Sequence, residues 1–320
     1  MRIKRITCFM LLICYVCILS SCSQSVKIEN SVIDNLYNNR KVNISTELVQ
    51  IKDKLYYHYR NRFGEPQNYE IGNGYTKMVA NDLPLDYVYN DLFLNPNTNP
   101  ISYYDKNIDD VVIKEFPKAF SPNSCEIINN TLYFDTADSI VFYDGNEIKP
   151  FVTAKELDMD SICLDNAYIN GNDVYYLYSE PKTEQSTIYK YNTVSKDKQS
   201  IDIGTGFYYN VIGIGNIVYY MKEGVLYKSD IDSKSSTVLA PQTQDSYISA
   251  FNVCDGFICV SDEQGIYVSD SQNENGFQKI SDDQALNLYF LDSQYIYYIK
   301  QEGVLMRVLR DGTKAEKVFG

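Results

Sequence analysis

Beyond residue 43, short aromatic runs recur along the chain, each entered from a turn: KLYYHY at 54, DLFL at 91, TLYFDT at 131, DVYYLY at 173, IVYYMK at 217, FICVSD at 257 and YIYYIK at 295. Their spacings are 37, 40, 42, 44, 40 and 38 residues. A period near ~40 residues with several short strands in each unit is the mark of a propeller rather than of a helical solenoid. In the sixth unit YISAFNV leads through Cys-Asp-Gly into FICVSD, then through a turn at Glu263 to Gly265 into IYVSD, and finally FQKIS. The fifth and seventh units follow the same four-strand plan, with Gly-Asn, Lys-Glu-Gly and Asp-Gly supplying the positive-φ positions that tight hairpins need. The pattern predicts an all-β chain: a seven-bladed β-propeller of four-stranded antiparallel blades over residues 44–320, continuous in sequence, with no strand borrowed at closure. The least regular unit is the second, LDYVYNDLFLNPNTNPISYYDKNIDDVVIKEF; if it or the first fails, six blades remain.

The middle strands of a blade are covered on both faces by neighbouring blades, so they need not alternate apolar with polar. Tyrosine suits that place because it buries a large ring while its hydroxyl reaches an edge or a carbonyl. The pairs Tyr175–Tyr176, Tyr219–Tyr220 and Tyr297–Tyr298 are expected to send one ring into each seam between blades. Packing therefore accounts for most of the 30 Tyr, which stand beside 14 Phe, no Trp and one His. A hydrophobic content of 44% excludes a largely disordered chain. The net charge of −13 repels a phosphate backbone and excludes nucleic acid as the expected partner.

The N-terminus reads as an address. Arg2, Lys4 and Arg5 precede an apolar run from Ile6 to Leu19, in the layout of a secretory signal peptide over residues 1–21. Fourteen residues of helix reach only ~21 Å against a hydrocarbon core of ~30 Å, which disfavours a permanent span. Leu19-Ser20-Ser21-Cys22 resembles the bacterial lipobox, and by that resemblance Cys22 carries a thioether-linked diacylglycerol and, with further acylation such as palmitate, becomes the mature N-terminus. Two or more acyl chains make such anchoring stable. The expected location is the extracytoplasmic face of the cell membrane. Residues 22–43 are polar and without sustained period, and are expected to be a tether lifting the domain off the lipid. Loss of three leader cations takes the charge from −13 to −16.

Of eight cysteines, Cys125, Cys163, Cys254 and Cys259 remain after the leader and Cys22. None has CxxC or Cys/His metal spacing. Cys254 and Cys259 flank a predicted hairpin on one face but two positions out of register, so buried thiols are favoured over a disulfide.

Candidate chemistry is sparse. His58, the one imidazole, falls within an aromatic strand and reads as a packing residue, which removes most Ser-His-Asp and multi-histidine metal sites. Gly204, Gly206, Gly213 and Gly215 sit between strands with no following helix, so no phosphate cradle and no cofactor is expected. Acidic side chains remain: Asp158, Asp160 and Asp165 between the third and fourth units, and Asp282 and Asp283 at the corresponding connection before the seventh. Loops of that kind commonly form the binding end, and Asp158, Asp160, Asp282 and Asp283 are the candidate ligand-binding residues. The longest connections, RNRFGEPQ at 60, FPKAFSPN at 116, FVTAKELDMDS at 151 and SEPKTEQS at 179, place the expected ligand side on units one to four.

The runs NDVYYLY with IYKYN, GNIVYYMKEGVLYKSD, and YIYYIKQEGVLMRVLRDGTKAEKV resemble the Tyr-rich propeller repeats, of unassigned function, common in secreted and lipid-anchored proteins of Clostridia-like bacteria. They are similar, more distantly, to the YWTD-type propellers of animal lipoprotein receptors. The likeness covers nearly all of residues 44–320 and implies architecture rather than activity. The expected function is a membrane-anchored propeller that binds a protein, peptide or glycan through loops at one end. A carboxylate- or metal-dependent extracellular hydrolase or lyase, and an envelope scaffold, are the alternatives.

Overall fold

The computed structural model describes residues 26–30, 35–43, 45–95, 101–105, 108–114, 124–239, 247–270 and 276–320, without the side chains of 35, 101–105 and 108–114. The expected leader, Cys22 and the loop at 116 lie outside the described residues. The strands form seven four-stranded antiparallel sheets, each built from four strands consecutive in sequence. We number them blades 1 to 7: residues 48–79, 88–114, 124–153, 167–205, 208–239, 250–281 and 287–319. In six of them the side chains of all four strands are described; in blade 2 only those of the first two strands are. Each aromatic run singled out above is the second strand of its blade. The result is an all-β propeller with no exchanged strand at closure.

Four antiparallel strands return the chain to the end from which it entered. Connections between blades, and the hairpins joining second and third strands, therefore share one end, the loop end. The hairpins joining first to second and third to fourth strands share the other, the turn end. Blades meet through their tyrosines. Tyr297 joins the cluster shared by blades 7 and 1, whereas Tyr298 joins the one shared by blades 6 and 7. At closure the Tyr57 hydroxyl donates to the Gly303 carbonyl at 2.5 Å, and Phe319 packs on Tyr57, Tyr59 and Tyr69. Tyr175 crosses into blade 5, where its hydroxyl donates to the Gly215 carbonyl at 2.6 Å. Its ring fills the space over Gly213, where a Cβ would lie 2.3 Å from it.

Residues 22–43 do not behave as a tether where they are described. Helix α1, Asn35–Val42, stands on the ring axis and touches or shares a core cluster with the first strand of every blade. Leu36 joins the cluster of Val49, Ile51 and Val88. Lys41 pairs with Glu126 at 2.8 Å, and the Tyr37 hydroxyl donates to Ala167 O and accepts from Ile169 N. Asn210 donates to Val42 O, and Asn38 to Val253 O.

In blade 7, Asn39 both donates to Phe290 O and accepts from Phe290 N, each at 3.0 Å. Asn43 does the same with Leu288, at 3.0 and 3.1 Å. Four helical residues rise ~6.0 Å and two strand residues ~6.6 Å, so amides spaced i,i+4 match alternate residues of the strand's free edge. The helix thus satisfies backbone groups that would otherwise face the channel.

Before it, Ile28 is buried among residues of blades 7 and 1. Its N–H donates to Asn73 Oδ1 at 2.6 Å, at the turn end. No described helix is long and apolar enough to cross a membrane.

Candidate binding site at the loop end

At the loop end the connection from blade 3 to blade 4 begins with a single 3-10 turn, Ala154–Leu157. Thr153 and Glu156 close it as a reciprocal cap: Thr153 N donates to Glu156 Oε2 at 2.9 Å and Glu156 N to Thr153 Oγ1 at 3.2 Å. Glu156 also accepts from Lys196 at 2.9 Å and from the Tyr191 hydroxyl at 3.1 Å, tying the turn to blade 4. Lys196 and the Thr153 bonds outweigh a small burial effect and hold the Glu156 carboxyl down to about 2. Asp158 ends the turn with φ 58°, in the left-handed region. Its carboxylate meets Lys198 Nζ at 2.9 Å, and the same ammonium donates to Leu157 O and lies 4.8 Å from the centre of the Tyr189 ring.

This connection walls a cavity of about 870 Å³ lined by Asp158, Met159, Asp160, Tyr176, Leu177, Tyr178, Tyr189, Lys198 and Tyr208. A second hollow of about 240 Å³ shares Asn166, Leu177 and Tyr208 with it and continues to Lys41 and Asn210. Lys41 projects from the last turn of α1, so the channel helix forms part of the floor. Its partner Glu126 is buried, which pushes that carboxyl up despite the opposing pull of Lys41 and Arg40. Beside the hollow, Phe207 is 74% exposed and its ring centre is 5.9 Å from that of Tyr209. Tyr247, 57% exposed, lies over Gly224. Burial and a hydrogen bond with Tyr247 push the Tyr209 hydroxyl up to about 12. Among described residues the three most exposed aromatic side chains, Phe63, Phe207 and Tyr247, all belong to the loop end.

The structure brings Asp158 and Asp160 into one cavity; Asp165 lines the adjoining hollow. Asp282 and Asp283 occupy the equivalent connection from blade 6 to blade 7, on the same end but away from the cavity. Asp282 pairs with Lys279 at 2.5 Å and is almost fully exposed. Asp283 accepts from Lys300 at 2.6 Å and from the Tyr298 hydroxyl at 2.7 Å. Burial works against the Asp283 charge, but these bonds outweigh it and keep the carboxyl below its ordinary range. His58 bonds Asn68 in blade 1, at 2.7 Å through Nδ1. Cys125, Cys254 and Cys259 are buried thiols and Cys163 is a half-buried one, none of them in a disulfide. Cys254 and Cys259 stand two positions out of register, Asn252 facing Cys259 and Cys254 facing Phe257. Burial pushes the thiols of Cys125 and Cys254 up to about 12. No group of three or more His, Cys, Asp or Glu among the described residues could hold a metal ion.

The loops at 151 and 179 both border the cavity, as do Tyr208 of blade 5 and, in the adjoining hollow, Lys41, neither of which sequence reasoning singled out. Phe207 and Tyr247 carried a usable signal: each is an aromatic residue in a connection between blades, Phe207 immediately before the first strand of blade 5 and Tyr247 three residues before that of blade 6.

The arrangement can accept an elongated ligand. Tyrosine faces offer stacking, Asp158 and Asp160 offer acceptors, and exposed rings extend the contact beyond the rim. Every carboxylate lining the two hollows, Asp158, Asp160 and Asp165, is exposed.

No family model and no curated protein matches the chain. Among solved structures it is similar to a puromycin-hydrolyzing peptidase of Mycobacterium tuberculosis (TM-score 0.55, 10% identity, 91% of this chain and 56% of that one). It is also similar to YCF48 from Cyanidioschyzon merolae, with TM-score 0.52 and 14% identity over 92% of this chain and 98% of that one. A third likeness is to a prolyl endopeptidase, with TM-score 0.50 and 12% identity over 89% of this chain and 50% of that one. The chain spans about half the length of the two peptidases. At these identities the likenesses establish one thing, the β-propeller fold.

Proposed function

We propose that this chain is an exported lipoprotein, anchored through Cys22 and akin to the Tyr-rich propeller repeats, whose loop end binds an extracellular peptide, protein segment or glycan. One observation carries the reading: the tyrosine-walled cavity between blades 3 and 5, with Phe207 and Tyr247 exposed at its margin. Exposed apolar rings clustered at one end of a folded domain mark recognition surfaces. A shallow aromatic cavity rimmed by carboxylates favours ligands that offer CH faces or cationic groups.

Peptide and glycan arrays probed with the soluble domain, residues 26–320, test this. A ligand so found should lose at least about tenfold in affinity with Tyr178→Ala and with Asp160→Asn, a loss of about 1.4 kcal/mol. Asp282→Asn, outside the cavity, should leave it unchanged. Equal affinity for all four proteins would sink the assignment.

The presence of Asp158 and Asp160 in one cavity is the observation that favours a second reading, a carboxylate-dependent hydrolase. Against it stand the exposure of both groups and the ion pair that engages Asp158. Turnover of an array ligand, abolished by Asp160→Asn with binding retained, would establish the enzyme.

A further inference from the structure

An anchor at Cys22 followed by a free 22–43 segment would let the domain wander above the lipid. The structure removes most of that freedom. Ile28 is held by Asn73, whose amide also donates to Ile28 O at 3.3 Å. The carbonyl of Lys27 accepts from Arg307 at 2.8 Å, and Gln50 donates to the carbonyl of Glu29. These contacts lie between blades 7 and 1 and toward the turn end, after which α1 climbs the channel to finish at the loop end. Three residues separate Cys22 from Val26, and the four Cα-to-Cα steps between them span at most ~14 Å at full extension.

We infer that the propeller rides against the membrane with its turn end toward the lipid headgroups and its cavity end facing away. The inference rests on the lipid-anchored reading of Cys22. A leash this short attached at the turn end cannot carry the loop end to the bilayer unless the docked segment is torn out. The seven-residue strands Lys54–Arg60 and Pro66–Gly72 set the two ends ~20 Å apart. Two exposed apolar side chains sit at the turn-end hairpins of blades 1 and 2: Tyr75, two residues from Asn73, and Leu92. Their place suits contact with the headgroup region. The cavity lies across the ring from blades 7 and 1, which sets it as far from the leash as the fold permits.

The absence of tryptophan makes the test clean. Tyr75→Trp and Phe63→Trp place single reporters at opposite ends of blade 1. The chain from Cys22 to Gly320, with Cys163→Ser, is coupled through Cys22 to a maleimide lipid. It is then mixed into phosphatidylcholine vesicles carrying headgroup nitroxide. Because the coupling is chemical, orientation is read whether or not cells lipidate Cys22; intact mass of the protein extracted from cell membranes tests that separately.

The expected result is quenching several-fold stronger at position 75 than at 63. Inserting twenty Gly/Ser residues between positions 25 and 26 should bring the two close together. Equal quenching without the insert, stronger quenching at 63, or a difference that survives the insert would each overturn the inference.

Discussion

Replacing Asn39 by leucine tests whether the channel helix is integral to the ring. Asn39 is fully buried and makes three hydrogen bonds: to Phe290 O, from Phe290 N, and from Asn252 Nδ2 at 2.7 Å. Leucine fills nearly the same volume and can make none of them. Asn252 keeps its bond to Leu288 O. The N–H and C=O of Phe290 are then stranded in a dry channel, at about 1–3 kcal/mol each. The added apolar burial returns about 1–2 kcal/mol, leaving a net loss of about 3 kcal/mol. At ~2.1 cal/mol/K per residue, a chain of this size has an unfolding entropy near ~0.6 kcal/mol/K, so Tm should fall by about 5 °C. Thermal unfolding of the 26–320 domain followed by far-ultraviolet circular dichroism measures it. A Tm within about 1 °C of the parent, with the same spectrum, would mean that water replaces the amide and that the helix is not docked as described.

Gly213→Ala should destabilise by about 1–3 kcal/mol, read from urea midpoints, because the new Cβ would land 2.3 Å from the Tyr175 ring. Pairing it with Tyr175→Leu should recover part of that loss if the clash is the cause. Glu156, held at about 2 when folded against an ordinary value near 4.5, stabilises the fold fully above its unfolded value. That contribution is lost as the pH falls from about 4.5 toward about 2. Glu156→Gln should therefore flatten the fall in Tm over that window relative to the parent, and parallel profiles would refute the assignment.

The aromatic runs and their ~40-residue period were sufficient to predict the blades because both are local: a hairpin turn and a pair of β-prone rings are written within a few residues. Tyr297 and Tyr298 could be assigned to opposite seams from adjacency alone, since successive strand side chains point to opposite faces. The acidic connection at Asp158 and Asp160 was visible as a loop, but its union with Tyr178, Tyr189 and Tyr208 in one cavity depends on blades 3, 4 and 5 meeting side by side. No sequence spacing reports that angle. Asp282 and Asp283, alike in sequence position, face Lys279, Lys300 and Tyr298 instead of a cavity, because the neighbouring blade there presents different partners.

The sequence by itself determined the all-β repeat, the hairpin positions and the packing role of tyrosine, since each follows from residue pattern over a dozen positions or fewer. Only the tertiary structure decided what NLYNNRKV becomes. Asparagine is a poor helix former, and a segment holding three of them with no apolar stripe reads as solvent-exposed chain. Inside the ring the amides of Asn38 and Asn39 meet the free edges of the innermost strands, where their hydrogen bonds are made away from competing water. The ring's unsatisfied backbone, contributed by residues more than two hundred positions away, is what makes this segment a helix.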